Sequence, residues 1–294
     1  MNKKIKGDLI LLLTAMIWGS SFVAQSVGMD FIGPNTFHGI RTLLGGTVLL
    51  PVIFVMNRNG SAKKVQTDRK SLIIGGILCG LFLCAAGTIQ TWGMKYTTAS
   101  KSGFITAMYI IFVPFAGLLL KKKVGLLTCI GAAIALVGLY LLCLAGTEFS
   151  VNFGDVLTLI CAFVFTAHIM TVDYFSGKVD GVKLSCLQFF VCGFVNIVLM
   201  FLFEHPDFRV VASCWKPICY SGIMSCGLGY TFQIIGQKYT DPAPAAIIMS
   251  MESVFAVIAG FLILGEKMGA AEIIGCVIMF AAILIVQVPD LVKK

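Results

Sequence analysis

The chain has 294 residues, 58% of them hydrophobic and only 12% charged, with a mean hydropathy of +0.95. That leaves too little polar surface to cover a water-soluble globule, so an integral membrane protein is expected. The net charge of +8 does not point to nucleic acid, because the cations sit in short loops at the ends of apolar runs.

A membrane span needs about 20 mainly apolar residues. Ten such runs occur, at about 8–27, 36–56, 72–92, 101–120, 125–145, 153–172, 184–203, 214–236, 243–264 and 270–288, and nothing between them is long enough for a soluble domain. With the N-terminus placed in the cytoplasm, sixteen of the 22 Lys and Arg fall on the inner side and five on the outer, while Arg41 lies within a span. Both termini are therefore expected to be cytoplasmic, in a cell inner membrane.

The start of the first span resembles a signal peptide, with cations before an apolar stretch, but its counterpart later in the chain is an ordinary internal span, so a retained helix is expected. Trp18, Gly19, Ser20 and Ser21 lie near its middle, where small polar residues either pack helices together or face a cavity. The second span carries His38 and Arg41. An arginine on the lipid face would cost a few kcal/mol, so it should face the interior, as counter-charge to an anionic substrate or in a structural ion pair. The third span has a Gly76/Gly80 packing pair and ends at Gln90, which either lines an entrance or caps a helix end. The fourth contains Tyr109, and Pro114 inside it frees a backbone carbonyl and allows a kink.

The fifth and tenth spans hold almost only small and aliphatic residues, which predicts packing outside any pathway. The sixth opens near Asp155, a residue suited to a helix start, and carries His168, either a hydrogen-bonded structural residue or a proton-coupling group. Gln188 in the seventh occupies the place of Arg41. Gln233 ends the eighth as Gln90 ends the third. In the ninth, Pro242 and Pro244 sit where helices accept proline, and Glu252 lies near mid-span. An ionised carboxylate there must be protonated, paired or in water. All eleven cysteines lie in apolar runs without a CxxC pair and are expected to be reduced packing residues. The Asn59-Gly-Ser61 sequon is expected on the cytoplasmic side. No phosphate-binding loop, HExxH or clustered His, Cys and carboxylate set is present, so no cofactor or metal is expected.

The two halves repeat each other. At an offset of 143, Gln90, Gly93, Lys95, Tyr96 and Thr97 fall on Gln233, Gly236, Lys238, Tyr239 and Thr240, and Tyr109 falls on Glu252. At an offset of 147, Gly7 and Asp8 fall on Gly154 and Asp155, and Ser21 on His168. Five spans per copy place the second copy upside down. The expected fold is all-α, with ten transmembrane helices as two inverted-topology five-helix repeats, 1–146 and 147–294, and with function between the copies.

On these features the chain resembles the EamA branch of the drug/metabolite transporter superfamily over essentially its full length. The matching residues are the Trp18-Gly-Ser-Ser-Phe22 motif, Arg41, the Lys95-Tyr-Thr-Thr-Ala-Ser100 turn, and Met251-Glu-Ser-Val-Phe255 leading to Gly265-Glu266-Lys267. The resemblance implies a secondary transporter working by alternating access, with spans 1–4 and 6–9 around a cavity and spans 5 and 10 outside. Two departures stand out. Lys121-Lys-Lys123 replaces the Gly-Glu-Lys of the second half, and Ser253 stands where proline commonly follows the glutamate, which weakens the case for a helix break at Glu252.

The expected activity is export of small polar or amphipathic metabolites, amino acids foremost, with no enzymatic step. Trp18, Ser21, Arg41, Tyr109 and Glu252 are the expected substrate-binding residues, Glu252 or His168 the proton-coupling group, and Gln90 and Gln233 the pathway entrances. Partners are a small-molecule substrate and the bilayer, with a homodimer left open. Uptake of a small amine and a non-transporting lipid-handling or assembly subunit are the alternatives.

Overall fold

The computed structural model describes residues 3–59, 68–97, 99–144, 151–265 and 267–292. Glu266, the sequon beyond Asn59, Lys63, Lys64, Lys293 and Lys294 lie outside them. The described residues form ten helices long and apolar enough to cross a membrane, and no strand. They are α1 (Lys3–Met29), α2 (Pro34–Arg58), α3 (Arg69–Gly93), α4 (Lys101–Leu119), α5 (Leu126–Cys143), α6 (Phe153–Ser176), α7 (Gly181–Phe203), α8 (Trp215–Gln237), α9 (Pro242–Ile263) and α10 (Ala270–Gln287).

Local chemistry sets the ends. Pro34 opens α2 at a position whose N–H no helix bond needs. Asp68 starts α3 by accepting from the backbone N–H groups of Lys70 and Ser71. Bonds from Ser71, first of all from its hydroxyl, hold this exposed carboxyl below its ordinary pKa. Asn152 and Asp155 form a reciprocal capping box at the start of α6. Asp8, expected to open a helix as Asp155 does, instead lies more than one turn inside α1, which begins at Lys3.

The helices pair across the repeats. α2 lies on α7, α3 on both α6 and α7, α1 on α8 and α9, and α5 on α10. The core is thus shared between the halves. α5 and α10 sit beside the other eight helices and pack on each other through Gly138 and Gly275. A side chain at Gly275 would lie 2.7 Å from the Gly138 carbonyl, so only glycine permits this approach.

The repeat also appears in individual bonds. Thr97, in the α3–α4 turn, donates to Asp155 of α6 at 2.7 Å, and Thr240, in the α8–α9 turn, donates to Asp8 of α1 at 2.7 Å. Each repeat's internal turn is therefore pinned to the first helix of the other repeat. Lys101 adds an ion pair to Asp155 at 2.6 Å.

Both central helices of the repeats are broken at the same place. The helix of the α4 span starts two residues earlier and divides into Ala99–Thr106 and Tyr109–Leu119, and α9 contains the separate pieces Pro242–Met249 and Glu252–Ala259. Three backbone bonds around the breaks correspond one to one: Met108 N–H to Ile105 and Met251 N–H to Ile248, Ile110 to Ala107 and Ser253 to Ser250, Phe112 to Met108 and Phe255 to Met251. The break before Glu252 thus forms without the proline expected to cause it. Pro114 sits inside the second half of α4, beyond its break, so proline is not the cause there either.

Candidate functional site

Tyr109 and Glu252 each open the second half of a broken helix, and the breaks bring them together. The Tyr109 hydroxyl donates to Glu252 Oε1 at 3.3 Å. Residues at one position of the repeat thus meet near the pseudo-two-fold axis. Around them lies a narrow cavity, with about 50 Å³ open to water-sized atoms. Seven of the eight candidate residues, Trp18, Arg41, Tyr109, Glu252, Gln90, Gln233 and His168, line it. Ser21 is the one set apart: its side chain is fully buried and its hydroxyl has no partner.

Arg41 is 6% exposed. Its Nε and one terminal nitrogen donate to His38 Nδ1, at 3.1 and 2.8 Å, and its guanidinium lies 5.7 Å from the Phe37 ring centre. The remaining nitrogen, NH1, is buried without a partner, and no carboxylate among the described residues pairs with Arg41. A buried cation without a counter-charge is costly and attracts an anionic group entering the cavity.

Aromatic rings also line the cavity. Trp18 packs on Tyr230 with ring centres 4.6 Å apart, and Tyr230 meets His168 edge-on at 6.1 Å. His168 Nε2 bonds Gln188 Oε1 at 3.2 Å, while His168 Nδ1, Gln188 Nε2 and Trp18 Nε1 are buried without partners. Gln90 donates to Thr106 at 3.0 Å, whereas Gln233 Oε1 is buried and unpaired. The two entrance glutamines therefore differ in surroundings despite their matching places.

Sequence reasoning missed Tyr230, Ser225, Gln25 and Phe22, all on the cavity wall. Tyr230 and Ser225 belong to a π-helical stretch of α8, Ser221–Tyr230, whose wider turns often occur at functional sites. Periodicity at 3.6 residues cannot register such a stretch. His38 was noted only as a neighbour of Arg41. Among the described residues no three His, Cys, Asp or Glu side chains gather as a metal site.

The cavity continues into a vestibule of about 240 Å³ that shares Phe22, Gln25 and Gln90 with it. Met29, Met94, Lys267 and Met268 lie along the vestibule, so it opens at the end opposite the two chain termini. The terminal end is sealed. There Pro242–Met249 packs on Tyr109–Leu119, and Leu11, Ala245, Ile247 and Ile248 are all fully or almost fully buried.

Inverted five-helix repeats enclosing a polar cavity within an apolar bundle, open at one end, define a membrane transporter of small molecules. The chain belongs to the EamA-like transporter family, whose model matches residues 5–144 and 152–288. It is 28% identical over 286 residues to an uncharacterized transporter of Archaeoglobus fulgidus, covering 97% of this chain and 87% of that one. It is 25% identical to the uncharacterized transporter YoaV of Bacillus subtilis, over 95% and 96% of the two chains, and 25% identical to the glucose uptake protein GlcU of Staphylococcus xylosus, over 97% and 96%. A solved crystal structure shares the fold with a TM-score of 0.79 at 17% identity, over 98% of this chain and 99% of the other.

Proposed function

We propose that the protein is a secondary-active exporter of amino acids or closely similar zwitterions, working by alternating access in the plasma membrane with both termini cytoplasmic. The observation that carries this reading is the unpaired Arg41 NH1 in the same cavity as the Tyr109–Glu252 pair. Arg41 would receive the substrate carboxylate. Glu252, with the Trp18 and Tyr230 rings beside it, would receive the ammonium group. Because Glu252 can hold either a proton or the ammonium, occupation by one excludes the other, which couples export to proton entry. Sequences 1–146 and 147–294 act in this reading as the two repeats that exchange roles during the cycle.

A second reading has one specific support, the relative named for glucose uptake. A sugar would lie against Trp18 and Tyr230 and bond the amides of Gln25, Gln90 and Gln233. Thermal unfolding of the detergent-purified protein, with amino acids, amines, organic acids and sugars at two pH values, separates the two. Stabilisation by amino acids, absent for the matching amines, is expected. Stabilisation by glucose alone would replace the first reading with the second. In proteoliposomes, Glu252→Gln should abolish the pH dependence of transport in a folded protein, and an unchanged pH dependence would remove Glu252 from coupling.

A further inference from the structure

The geometry points to His38 as the positioning residue that makes Arg41 an anion site, an inference that rests on the role given to Arg41 above. A guanidinium has five N–H donors and no acceptor, so in any bond between the two side chains Arg41 donates. Two of its nitrogens converge on one atom, His38 Nδ1, at 3.1 and 2.8 Å. That atom must therefore carry a lone pair, which makes His38 the neutral imidazole with its proton on Nε2. Nε2 in turn faces Cys192 Sγ at 3.5 Å, a weak acceptor that suits an N–H donor.

The consequence lies on the far side of the guanidinium. With Nε and one terminal nitrogen held by a single acceptor, the planar fork is fixed, and NH1 is left buried and unpaired on a side chain that lines the cavity. A substrate carboxylate accepting from NH1 would not have to share the charge of Arg41 with an internal acid, because the guanidinium's partner, His38, is neutral. His38 thus supplies the orientation that a carboxylate usually gives to a buried arginine, without neutralising it.

The surrounding chain makes room for this arrangement. The His38 ring is 2% exposed and lies directly over Gly87 of α3, where an added Cβ would sit 2.5 Å from ring atoms Cε1 and Nε2. The second repeat keeps a related pair with different chemistry. Gln188, in the place of Arg41, bonds His168, and there a neutral amide replaces the cation. At this position only the first repeat therefore offers a cation, and its histidine comes from the same helix one turn away.

The first test needs no substrate. The chain has three histidines, so protein labelled with ¹⁵N only at histidine gives a spectrum that the substitutions His38→Asn, His168→Asn and His205→Asn assign completely. In micelles at neutral pH, His38 should show the neutral tautomer protonated on Nε2, with an Nδ1 resonance displaced by hydrogen bonding that moves in Arg41→Gln. A proton on Nδ1, or an imidazolium, would overturn the inference.

The second test uses L-leucine and 3-methylbutylamine, which differ by the carboxylate. In His38→Asn, Asn Oδ1 takes the place of Nδ1 and stabilisation by leucine should survive. In His38→Gln the acceptor lies too far out, and in His38→Ala it is missing, so the leucine dissociation constant should rise about tenfold or more in both. Equal effects of Asn and Ala in folded protein would overturn the positioning role. Failure of leucine to stabilise even the wild type would sink the amino-acid reading, while the spectrum still decides the state of His38.

Discussion

At the scale of single residues, the cavity holds two ionisable groups that are handled differently. Glu252 has a donor in Tyr109, but Arg41 has only a neutral partner. An unpaired buried cation lowers the stability of the empty protein, and such strain is common where a ligand will later supply the missing charge. Arg41→Gln keeps an N–H donor for His38 and removes the charge. It should therefore raise the stability of the ligand-free protein by roughly 1–3 kcal/mol, seen as a higher melting temperature in detergent, while abolishing stabilisation by leucine. A lower melting temperature would mean that Arg41 serves the fold. Tyr109→Phe removes the hydroxyl from Glu252 and should shift the pH dependence of transport without eliminating it, since the carboxyl remains. A pH profile identical to wild type would show that the bond has no part in coupling. Arg41, Tyr109 and Glu252 were legible in the sequence because a polar group in an apolar run has few cheap places to go. His38, Tyr230 and Gln25 were not, because whether a side chain faces the cavity depends on helix rotation, which composition does not encode. Ser21 shows the same limit from the other side: a polar residue at mid-span that the rotation of α1 turns away from the void.

At the scale of elements, the repeat was legible as matched residues, and the structure adds that it is also a match of interruptions. The breaks at 107–108 and 250–251 have no common proline, glycine or other sequence signal. Both halves of α4 touch α5 and α6, and only Tyr109–Leu119 also packs on the first half of α9, so the breaks coincide with the place where the two repeats meet. That α5 and α10 stay off the central cavity was legible because neither carries polar groups away from its ends, but Leu142, Cys143 and Glu272 at those ends reach the vestibule, against the expectation that both helices lie outside any pathway. Their pairing was not, since glycines at Gly138 and Gly275 allow close approach without naming the partner. Gly275→Leu would place a side chain into the Gly138 carbonyl and the Leu142 backbone, and should cost about 3 kcal/mol. Because neither helix lines the central cavity, the leucine affinity of the remaining folded protein should be unchanged. A loss of affinity equal to the loss of stability would mean that the α5–α10 pair shapes the cavity from a distance.

At the scale of the whole molecule, pseudo-symmetry makes the differences between the two ends informative. The pins from Thr97 to Asp155 and from Thr240 to Asp8 are alike although one end is open and the other closed. They are therefore independent of which end is open, and the difference lies in the half-helices beyond them. At the closed end Ala246 is fully buried where Pro242–Met249 meets Tyr109–Leu119. Its repeat partner, Gly103, lines the vestibule, and a Cβ there would meet nothing within 4 Å. Alternating access exchanges these environments, so cysteines at the two positions report the state. With the exposed or half-exposed Cys129, Cys143 and Cys219 replaced, Gly103→Cys in the resting protein should react quickly with a membrane-impermeant maleimide applied opposite the termini. Ala246→Cys should be protected from either side. During transport, Gly103→Cys should slow and Ala246→Cys should become reactive from the side of the termini, because closing one end opens the other. Simultaneous labelling of both positions from opposite sides in the resting protein would indicate a channel-like path through the cavity, and would contradict a cycle in which the repeats exchange conformations.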